Sequence, residues 1–289
     1  MPEVCEIAIT AHFLQQFKII NNIEIIDKKF HINGLNKIKF PLKIKEVDSY
    51  GKLLWFEIID SDLNLFYIIN TFGLKGSWNQ TNGNVCFTFE KKMYYDDPIR
   101  FGTISILEEK EFKNKLNLMA PDFLRTEFTD SEFVSWIKNF LKKNKKRNEL
   151  NVVKVLMEQK KSSGIGSGLG NYLVTEILYS SQISPHRKLS ELTTHRLKIL
   201  AEMIKYKVKL FYMNNDTHYI KELNDFVKIH RKGVLKGLYP NYHPLIKINE
   251  KEKTSFNVYK QTKDPNENEV IKEEIIKGRH TYWCPNIQK

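Results

Sequence analysis

The chain has 289 residues, of which 41% are hydrophobic and 12% aromatic, and this composition excludes a disordered chain. Its net charge of +12 indicates a polyanionic partner such as nucleic acid, although a lysine-rich coding bias would give the same excess. No apolar run could span a bilayer and the N-terminus lacks a signal-peptide pattern, so we expect an intracellular protein with no membrane partner.

The first half of the sequence has the pattern of one helix followed by β-strands. A helix is predicted over 6–17, where apolar residues recur at helical spacing. From Ile23 to Phe128 short β-branched and aromatic runs alternate with turn residues, which predicts one antiparallel sandwich or barrel. The clearest predicted strands are 42–47, 53–59, 65–69, 85–89 and 103–107.

The second half has a helical pattern. Asp130-Ser131-Glu132 predicts the start of an amphipathic helix, which a basic run over 142–147 follows. Helices and turns are predicted to about Tyr239. Short strands are predicted at 256–259, 270–276 and 280–283.

The first three residues, Met1-Pro2-Glu3, could supply a nucleophile and an acid. Removal of Met1 would leave Pro2 as a secondary amine with a pKa of about 8. Such an amine can attack a carbonyl-like carbon and form an iminium, as lysines do in Schiff-base enzymes. Glu3 lies beside it as a candidate general acid. Alone, the tripeptide also fits an ordinary unprocessed terminus.

A glycine-rich segment begins an apolar-periodic stretch in the second half. Glycines alternate from Gly164 to Gly170 and Asn171 follows directly. Glycines allow close backbone approach, and a helix N-terminus favours a phosphate, so a phosphate-binding turn is predicted. The segment lacks the Lys-Ser/Thr ending of a nucleotide-binding P-loop. A flexible connection between helices remains the alternative.

These motifs together resemble the formamidopyrimidine-DNA glycosylase and endonuclease VIII family of base-excision enzymes. Each motif alone is weak, but their order and spacing across nearly the whole chain are specific. In chain order they are Met1-Pro2-Glu3, Glu6, Gly51-Lys52-Leu53-Leu54, Phe72-Gly73-Leu74-Lys75-Gly76-Ser77, Asp97-Pro98-Ile99-Arg100-Phe101-Gly102, Ala120-Pro121-Asp122, the glycine-Asn171 segment, Ile183-Ser184-Pro185, and Arg279 before Tyr282-Trp283-Cys284-Pro285.

The resemblance implies an α+β fold in three parts. Residues 1–128 would form an N-terminal helix and an antiparallel two-layer β-sandwich that carries the catalytic residues. Residues 129–250 would form an α-helical, helix-two-turn-helix DNA-binding domain. Residues 251–289 would end the chain in a β-hairpin of the zincless-finger type.

The same resemblance implies catalytic roles. Pro2 would attack C1′ of the damaged nucleotide and Glu3 would protonate the sugar ring oxygen or the leaving group. Lys52 would reach a flanking phosphate or sugar and support catalysis. Glu6 would be a second carboxylate near the helix start, with a simple helix-dipole role as its alternative.

Other matched residues would hold DNA and fill the space left by an everted nucleotide. Asn171, Arg279 and Arg100 would bind phosphates without reading sequence. Leu74 and Phe101 would fill the void, with ordinary core packing as the alternative. Ile99 lies where many relatives carry an arginine, so weak discrimination of the opposite base is expected.

The C-terminal segment departs from the zinc-binding relatives. Cys5, Cys86 and Cys284 are the chain's three cysteines, and only Cys284 lies in the finger, where Ile287 replaces its partner. One thiolate cannot build a tetrahedral zinc site, so no zinc and no other cofactor is expected. The segment resembles the zincless-finger branch of the family, which implies oxidised pyrimidines and ring-opened or hydantoin lesions as substrates in preference to intact 8-oxoguanine.

The predicted function is a bifunctional DNA glycosylase and AP lyase that acts as a monomer on damaged DNA, in duplex and in single-stranded form. It would use a Schiff base at Pro2 and cleave the strand by β,δ-elimination. The main alternative is a catalytically silent binder of damaged DNA. A small-substrate tautomerase with an N-terminal proline and a basic RNA-binding protein are weaker alternatives.

Overall fold

The chain folds into two compact units in a computed structural model that describes residues 2–214, 223–235, 248–249 and 251–289. One unit comprises Met1–Leu118 and Asn215–Tyr239, and the other comprises Met119–Asn214 and Pro240–Lys289. None of the described helices has the length and apolar composition that crossing a bilayer requires.

The first unit is built from two β-sheets. The six-stranded sheet has the order β1-β4-β5-β6-β10-β3, and the four-stranded sheet has the order β2-β8-β9-β7. All pairs are antiparallel except β10 with β3. Its elements are α1 (Val4–Leu14), β1 (Ile19–Ile20), β2 (Asn22–Ile25), β3 (Ile32–Asn33), β4 (Leu42–Tyr50), β5 (Leu53–Ile59), β6 (Leu65–Thr71), β7 (Ser77–Asn79), β8 (Val85–Thr88), β9 (Lys92–Asp96), β10 (Thr103–Leu107), α2 (Glu109–Leu118) and, late in the chain, α7 (Asn224–Leu235).

The two sheets pack face to face around an aromatic core. Phe56 on β5 lies with its ring centroid 5.9 Å from that of Trp78 on β7 and 6.1 Å from that of Phe87 on β8. Helix α1 adds Ile7 and Leu14 to the same core. The core therefore fixes the helix that begins at the predicted catalytic residues.

The second unit is helical and ends in a two-stranded hairpin. Strands β11 and β12 pair antiparallel, and β12 contacts α5. Its elements are α3 (Asp130–Lys142), α4 (Val152–Met157), α5 (Asn171–Ser180), α6 (Thr194–Met213), β11 (Ile271–Ile276) and β12 (Arg279–Trp283), with short 3-10 helices at Lys145–Glu149 and Leu189–Glu191. The predicted α+β class, with an N-terminal helix, a sandwich and a helical region, is confirmed.

The boundaries differ from the sequence prediction at several places. The first unit ends at Leu118 and not near 128, because Met119 and Asp122 form bridges with Lys160 and Ser167 of the second unit. The hairpin belongs to the second unit and does not form a unit of its own. Predicted helices between 215 and 222 and between 236 and 239 lie outside the described residues.

Two elements were predicted incorrectly. Helix α2 lies in a region predicted to be β-structure; Phe112 is its buried hydrophobic anchor and stacks on Tyr67 with a centroid distance of 4.1 Å. The predicted strand at 256–259 is a turn, because the buried Glu176 carboxylate accepts the N–H groups of Val258 and Tyr259. Aromatic and β-branched residues in a run indicate a strand only when another strand receives their backbone hydrogen bonds.

Candidate active site

Two buried carboxylates lie at the start of α1. The helix begins at Val4, before the predicted Glu6, with Pro2 directly before Glu3. Both Glu3 and Glu6 are buried. The Glu6 Oε2 accepts the N–H of Glu3 at 2.7 Å, so Glu6 caps the helix and fixes the backbone that carries Glu3. Glu6 therefore has a direct structural role at the helix start, in addition to the interaction with the helix dipole that the sequence suggested.

Lys52 lies in the tight turn between β4 and β5. Tyr50 pairs with Leu53, which leaves Gly51 and Lys52 as a two-residue loop, and Gly51 has φ +57°. Glycine tolerates this left-handed conformation, which two-residue hairpins require. Lys52 is half-buried, unlike the many exposed lysines of the chain. Its position is therefore set by the strand pair.

Two neighbouring loops of the first unit expose large apolar side chains. Leu74 is 39% exposed and Phe101 is 66% exposed, while Ile99 is half-buried. The loops touch, because a Cβ added to Gly73 would lie 2.5 Å from the backbone nitrogen of Gly102. Ordinary core packing, the alternative for Leu74 and Phe101, is therefore wrong. A water-exposed aromatic side chain on a fixed loop is available to a ligand.

A buried aspartate, to which the sequence analysis gave no role, holds the second loop. Asp97 Oδ1 accepts the N–H of Ile99 at 3.3 Å, and Oδ2 accepts the N–H of Gly102 at 2.6 Å. Its own N–H donates to Asn84 Oδ1. These bonds fix the backbone on both sides of Phe101. The Asp-Pro sequence is a turn signal that could have identified this residue.

Arg100 is engaged in an ion pair. Its Nε and Nη2 each lie 2.7 Å from Asp27 Oδ2. The backbone N–H of Lys29 and the Arg100 guanidinium hold the pKa of Asp27 below its usual value. Arg100 also has φ +57°, which is uncommon for a residue with a side chain. A phosphate would have to share this guanidinium with Asp27.

Asn171 and Arg279 come together in the second unit. Asn171 lies at the first turn of α5, and its Nδ2 donates to the carbonyl of His280 on β12 at 2.9 Å. Arg279 directly precedes His280 and is half-buried, with Nη1 3.8 Å from the sulfur of Met157. An amide nitrogen has two hydrogens, so Asn171 keeps one for a ligand. The two residues lie 108 positions apart in sequence, yet helix α5 and strand β12 bring their backbones together.

The glycine-rich segment is a packed connection, and three of its backbone N–H groups donate hydrogen bonds within the second unit. The N–H groups of Gly164, Ser167 and Gly168 donate to Lys160 O, Pro121 O and Gln159 Oε1 at 2.7–2.8 Å. These three N–H groups are therefore already bonded within the protein, and the predicted phosphate contact would fall to the helix that the segment begins. The α5 N-terminus at Asn171 remains as the candidate anion site.

A second missed residue, Glu176, ties the finger segment to α5. Its carboxylate is fully buried and accepts four hydrogen bonds of 2.9–3.0 Å from Asn257, Val258 and Tyr259. The segment that leads to the hairpin is thus fixed on the helix that carries Asn171. Sequence gives no signal for these bonds, because their partners lie 81–83 residues away.

Comparison with known proteins gives one consistent result. Residues 244–289 match the family model described as the formamidopyrimidine-DNA glycosylase C-terminal domain. The formamidopyrimidine-DNA glycosylase of Mycoplasma genitalium is 26% identical over 100% of this chain and 96% of its own length. That of Ureaplasma parvum is 25% identical, with full coverage of both chains. Over its full length the chain is thus similar to formamidopyrimidine-DNA glycosylases.

Solved structures share the fold of this chain at low identity. The Lactococcus lactis Fpg bound to DNA containing an abasic site has a TM-score of 0.73 and 18% identity, and the match covers 99% of each chain. The Lactococcus lactis Fpg in a complex with DNA containing an oxidised pyrimidine has a TM-score of 0.70 and 19% identity, with full coverage of both chains.

The surroundings of Cys284 can be compared with what a zinc site requires. Cys284 is fully buried in an apolar cluster with Val258 and Val270, against which Tyr179 and Ile287 pack. The described residues contain no group of three metal-ligating side chains, and the sequence has one cysteine in this region. Tetrahedral zinc needs four ligands, so these residues do not fit it. The hairpin that carries Arg279 is instead supported by side-chain packing.

Proposed function

We propose that the protein is a bifunctional DNA glycosylase and AP lyase of base-excision repair that removes oxidised bases through a Schiff base at Pro2. The observation that carries this proposal is Pro2 directly before the buried Glu3, with Glu6 holding the backbone between them. Relatives named formamidopyrimidine-DNA glycosylase that span the full chain support it.

The chemistry needs a free Pro2 nitrogen, and therefore removal of Met1. The secondary amine attacks C1′ while Glu3 protonates the ring oxygen or the departing base. The resulting iminium acidifies the C2′ proton, so the 3′ phosphate is eliminated, and the 5′ phosphate is eliminated next. Lys52, fixed in its hairpin, supports the flanking phosphate or sugar. We propose that no metal or other cofactor takes part.

The substrates we propose are oxidised pyrimidines and ring-opened or hydantoin lesions. The oxidised-pyrimidine complex of the Lactococcus lactis enzyme makes this class reasonable for the fold. Phe101 and Leu74, exposed on neighbouring loops, would occupy the space of the everted nucleotide. Ile99 offers no hydrogen bond to the opposite base, so we expect weak opposite-base discrimination.

DNA would be positioned through its backbone, with the protein acting as a monomer. Asn171 and Arg279 are the proposed phosphate contacts in the second unit, and Arg100 is the one in the first. We propose duplex DNA as the main substrate and single-stranded DNA as a second one. The second candidate function is a catalytically silent binder of damaged DNA, which would keep these contacts without needing a free Pro2.

Borohydride trapping with DNA that contains thymine glycol or an abasic site tests the proposal. We expect a covalent complex, and peptide mapping should place the added sugar on the N-terminal peptide that begins at Pro2. Intact-mass measurement of the same sample must show that Met1 is absent. Pro2→Gly should trap much less.

Glu3→Gln separates the two activities. It should lose base removal, which needs the acid, and keep trapping at a preformed abasic site, where no base departs. Glu202→Gln, an exposed carboxylate on α6, is the control and should behave as the parent. A parent protein that binds lesion DNA but traps none would favour the silent binder.

A further inference from the structure

More than half of the net charge is concentrated in one segment of the second unit. Residues 138–163 carry nine Lys and Arg residues against two Glu residues, a net charge of +7 in a chain of +12. Both acids are engaged, Glu149 with Lys188 and Glu158 with the hydroxyl of Ser163. All of the basic side chains except the half-buried Arg147 are exposed: Lys138, Lys142, Lys143, Lys145, Lys146, Lys154, Lys160 and Lys161.

Arg147 joins the two parts of this segment. Its Nη1 donates to the carbonyl of Phe140 on α3 at 2.8 Å, and its Nη2 donates to the carbonyl of Ser162 at 2.6 Å. The guanidinium also stacks on the Phe140 ring at 4.1 Å. The basic end of α3 and the loop at 158–163 are therefore held on one surface.

An open cavity of about 260 Å³ lies on this surface. Trp136, Asn139 and Phe140 share one face of α3, and Lys143 continues this face directly after the helix ends; all four line one side of the cavity. Lys161 and Gly164 line another side. We call this cavity and its rim the basic groove. It combines aromatic rings, a side-chain amide and two ammonium groups.

The two rim lysines have no acidic partner among the described residues. Lys143 and Lys161 are both exposed and neither forms an ion pair there. Their charges are thus free for an anion. The groove is smaller than the roughly 300–1,000 Å³ of sites for drug-sized ligands. It suits one nucleobase whose phosphates stay at the rim.

We propose that the basic groove binds single-stranded DNA, with one unstacked base against Trp136 and its phosphates between Lys143 and Lys161. Aromatic surfaces flanked by lysines are the usual composition of single-strand binding sites. A base in a duplex is stacked and could not enter. No residue of the groove belongs to the proposed catalytic or phosphate contacts, so this surface goes beyond the proposed function.

Binding of an undamaged fluorescein-labelled dT15 to the full chain, measured by anisotropy across a salt series, tests the proposal. Lys143→Gln combined with Lys161→Gln should weaken binding about tenfold and reduce the salt slope by about 1.4, since each single-strand phosphate contributes about 0.7. Trp136→Leu should also weaken binding about tenfold and abolish fluorescence quenching by the oligonucleotide. The control is Lys110→Gln with Lys115→Gln, two exposed lysines of α2, which should change neither quantity.

Unchanged affinity and slope in the double lysine variant would overturn the proposal, even if Trp136→Leu is poorly folded. A polyglutamate peptide that competes with dT15 as well as unlabelled dT15 does would also overturn it, because the groove would then be a general acidic-peptide site. Borohydride trapping of a short lesion duplex, run on the same proteins, reports the proposed function separately. The lysine variants should trap at the parental rate.

Discussion

At the scale of single residues, the most informative side chain is an aromatic ring in water. Phe101 is exposed while Asp97 fixes the backbone on both sides of it. A phenyl ring left in water does not contribute the stabilisation of about 1.5–3 kcal/mol that a buried one does. A rigid loop that presents such a ring is organised for contact with another molecule and not for stability.

Phe101→Ala should therefore lower activity without changing stability. We expect the unfolding free energy to stay within about 0.5 kcal/mol, as for other exposed sites. Single-turnover excision from a duplex should fall at least tenfold, because the void left by the everted nucleotide is no longer filled. Excision from a single strand, which has no stacked void, should fall much less. Leu118→Ala, another exposed apolar residue, is the control.

Equal losses on duplex and single strand would contradict the void-filling role of Phe101. They would indicate that the ring contacts the lesion itself. A large loss of stability would instead mean that the ring packs against the protein.

Single residues differ in how far sequence could identify them. Pro2 and Glu3 stand out because a terminal amine beside a carboxylate has obvious chemistry. Asp97 and Glu176 do not, because their importance lies in hydrogen bonds that only the folded backbone creates. Exposure also had to come from the structure, since periodicity alone could not separate Phe101 from a core residue.

At the scale of elements, the connection between α5 and the finger depends on one buried carboxylate. Glu176 accepts four hydrogen bonds from 257–259, and Lys207 on α6 lies 3.9 Å away. Burial lowers the pKa of Lys207, and the Glu176 carboxylate partly offsets this effect. Arg279 is thus positioned indirectly by a residue that need not touch DNA.

Glu176→Gln should destabilise the second unit by about 3 kcal/mol. The side-chain amide that this substitution introduces points its two hydrogens toward N–H groups that are themselves donors. The substitution also removes the negative charge that compensates Lys207. Urea unfolding measures the stability, and hydrogen exchange at 257–259 should become faster. Glu202→Gln is the control for the loss of one negative charge.

The loss of stability caused by Glu176→Gln should be smaller at high pH. The pKa of Lys207 is already below 10.5 in the folded protein, and without the carboxylate it falls further. Below the folded pKa the buried ammonium costs stability; as pH rises from there toward 10.5, the folded state binds fewer protons than the unfolded state and stability recovers. If the difference in unfolding free energy between the parent and the variant is constant between pH 7 and pH 10, lost hydrogen bonds explain the lower stability of the variant, and the uncompensated charge of Lys207 does not.

Elements were predictable where local pattern and final environment agree. Strands β5 and β10 match the prediction to the residue, because each is a short, mainly apolar run with β-branched or aromatic residues between turns. Helix α2 was missed because most of its residues are exposed, half of them are charged, and Phe112 is the one buried residue in it. The turn at 256–259 was wrongly predicted as a strand, because its N–H groups donate to Glu176 on a helix that is far away in sequence.

At the scale of the whole molecule, the positive net charge could be read from the sequence, but its distribution over the surface could not. A net charge of +12 predicted a polyanionic partner, and the similarity to formamidopyrimidine-DNA glycosylases agrees with it. The structure divides that charge between phosphate candidates such as Arg279 and a separate basic groove. Salt dependence can distinguish the two, because we propose that each contacts a different form of DNA.

Arg279→Gln should weaken duplex binding and reduce its salt slope by about 0.9, the value for one phosphate contact. The loss should be equal for lesion-bearing and undamaged duplexes, because a phosphate contact carries no sequence or lesion information. Arg279→Lys keeps the charge but loses the planar fork, so the slope should stay while affinity falls modestly. Lys113→Gln on α2 serves as the control.

The salt slope for dT15 binding should respond differently from the slope for duplex binding. If Arg279→Gln leaves the dT15 slope unchanged while substitution of the groove lysines reduces it, the two surfaces bind DNA independently. An Arg279→Gln protein whose loss is confined to lesion DNA would show that the guanidinium contacts the everted nucleotide itself. The phosphate role would then have to pass to Asn171 and the N-terminus of α5, where one amide hydrogen and the helix dipole remain.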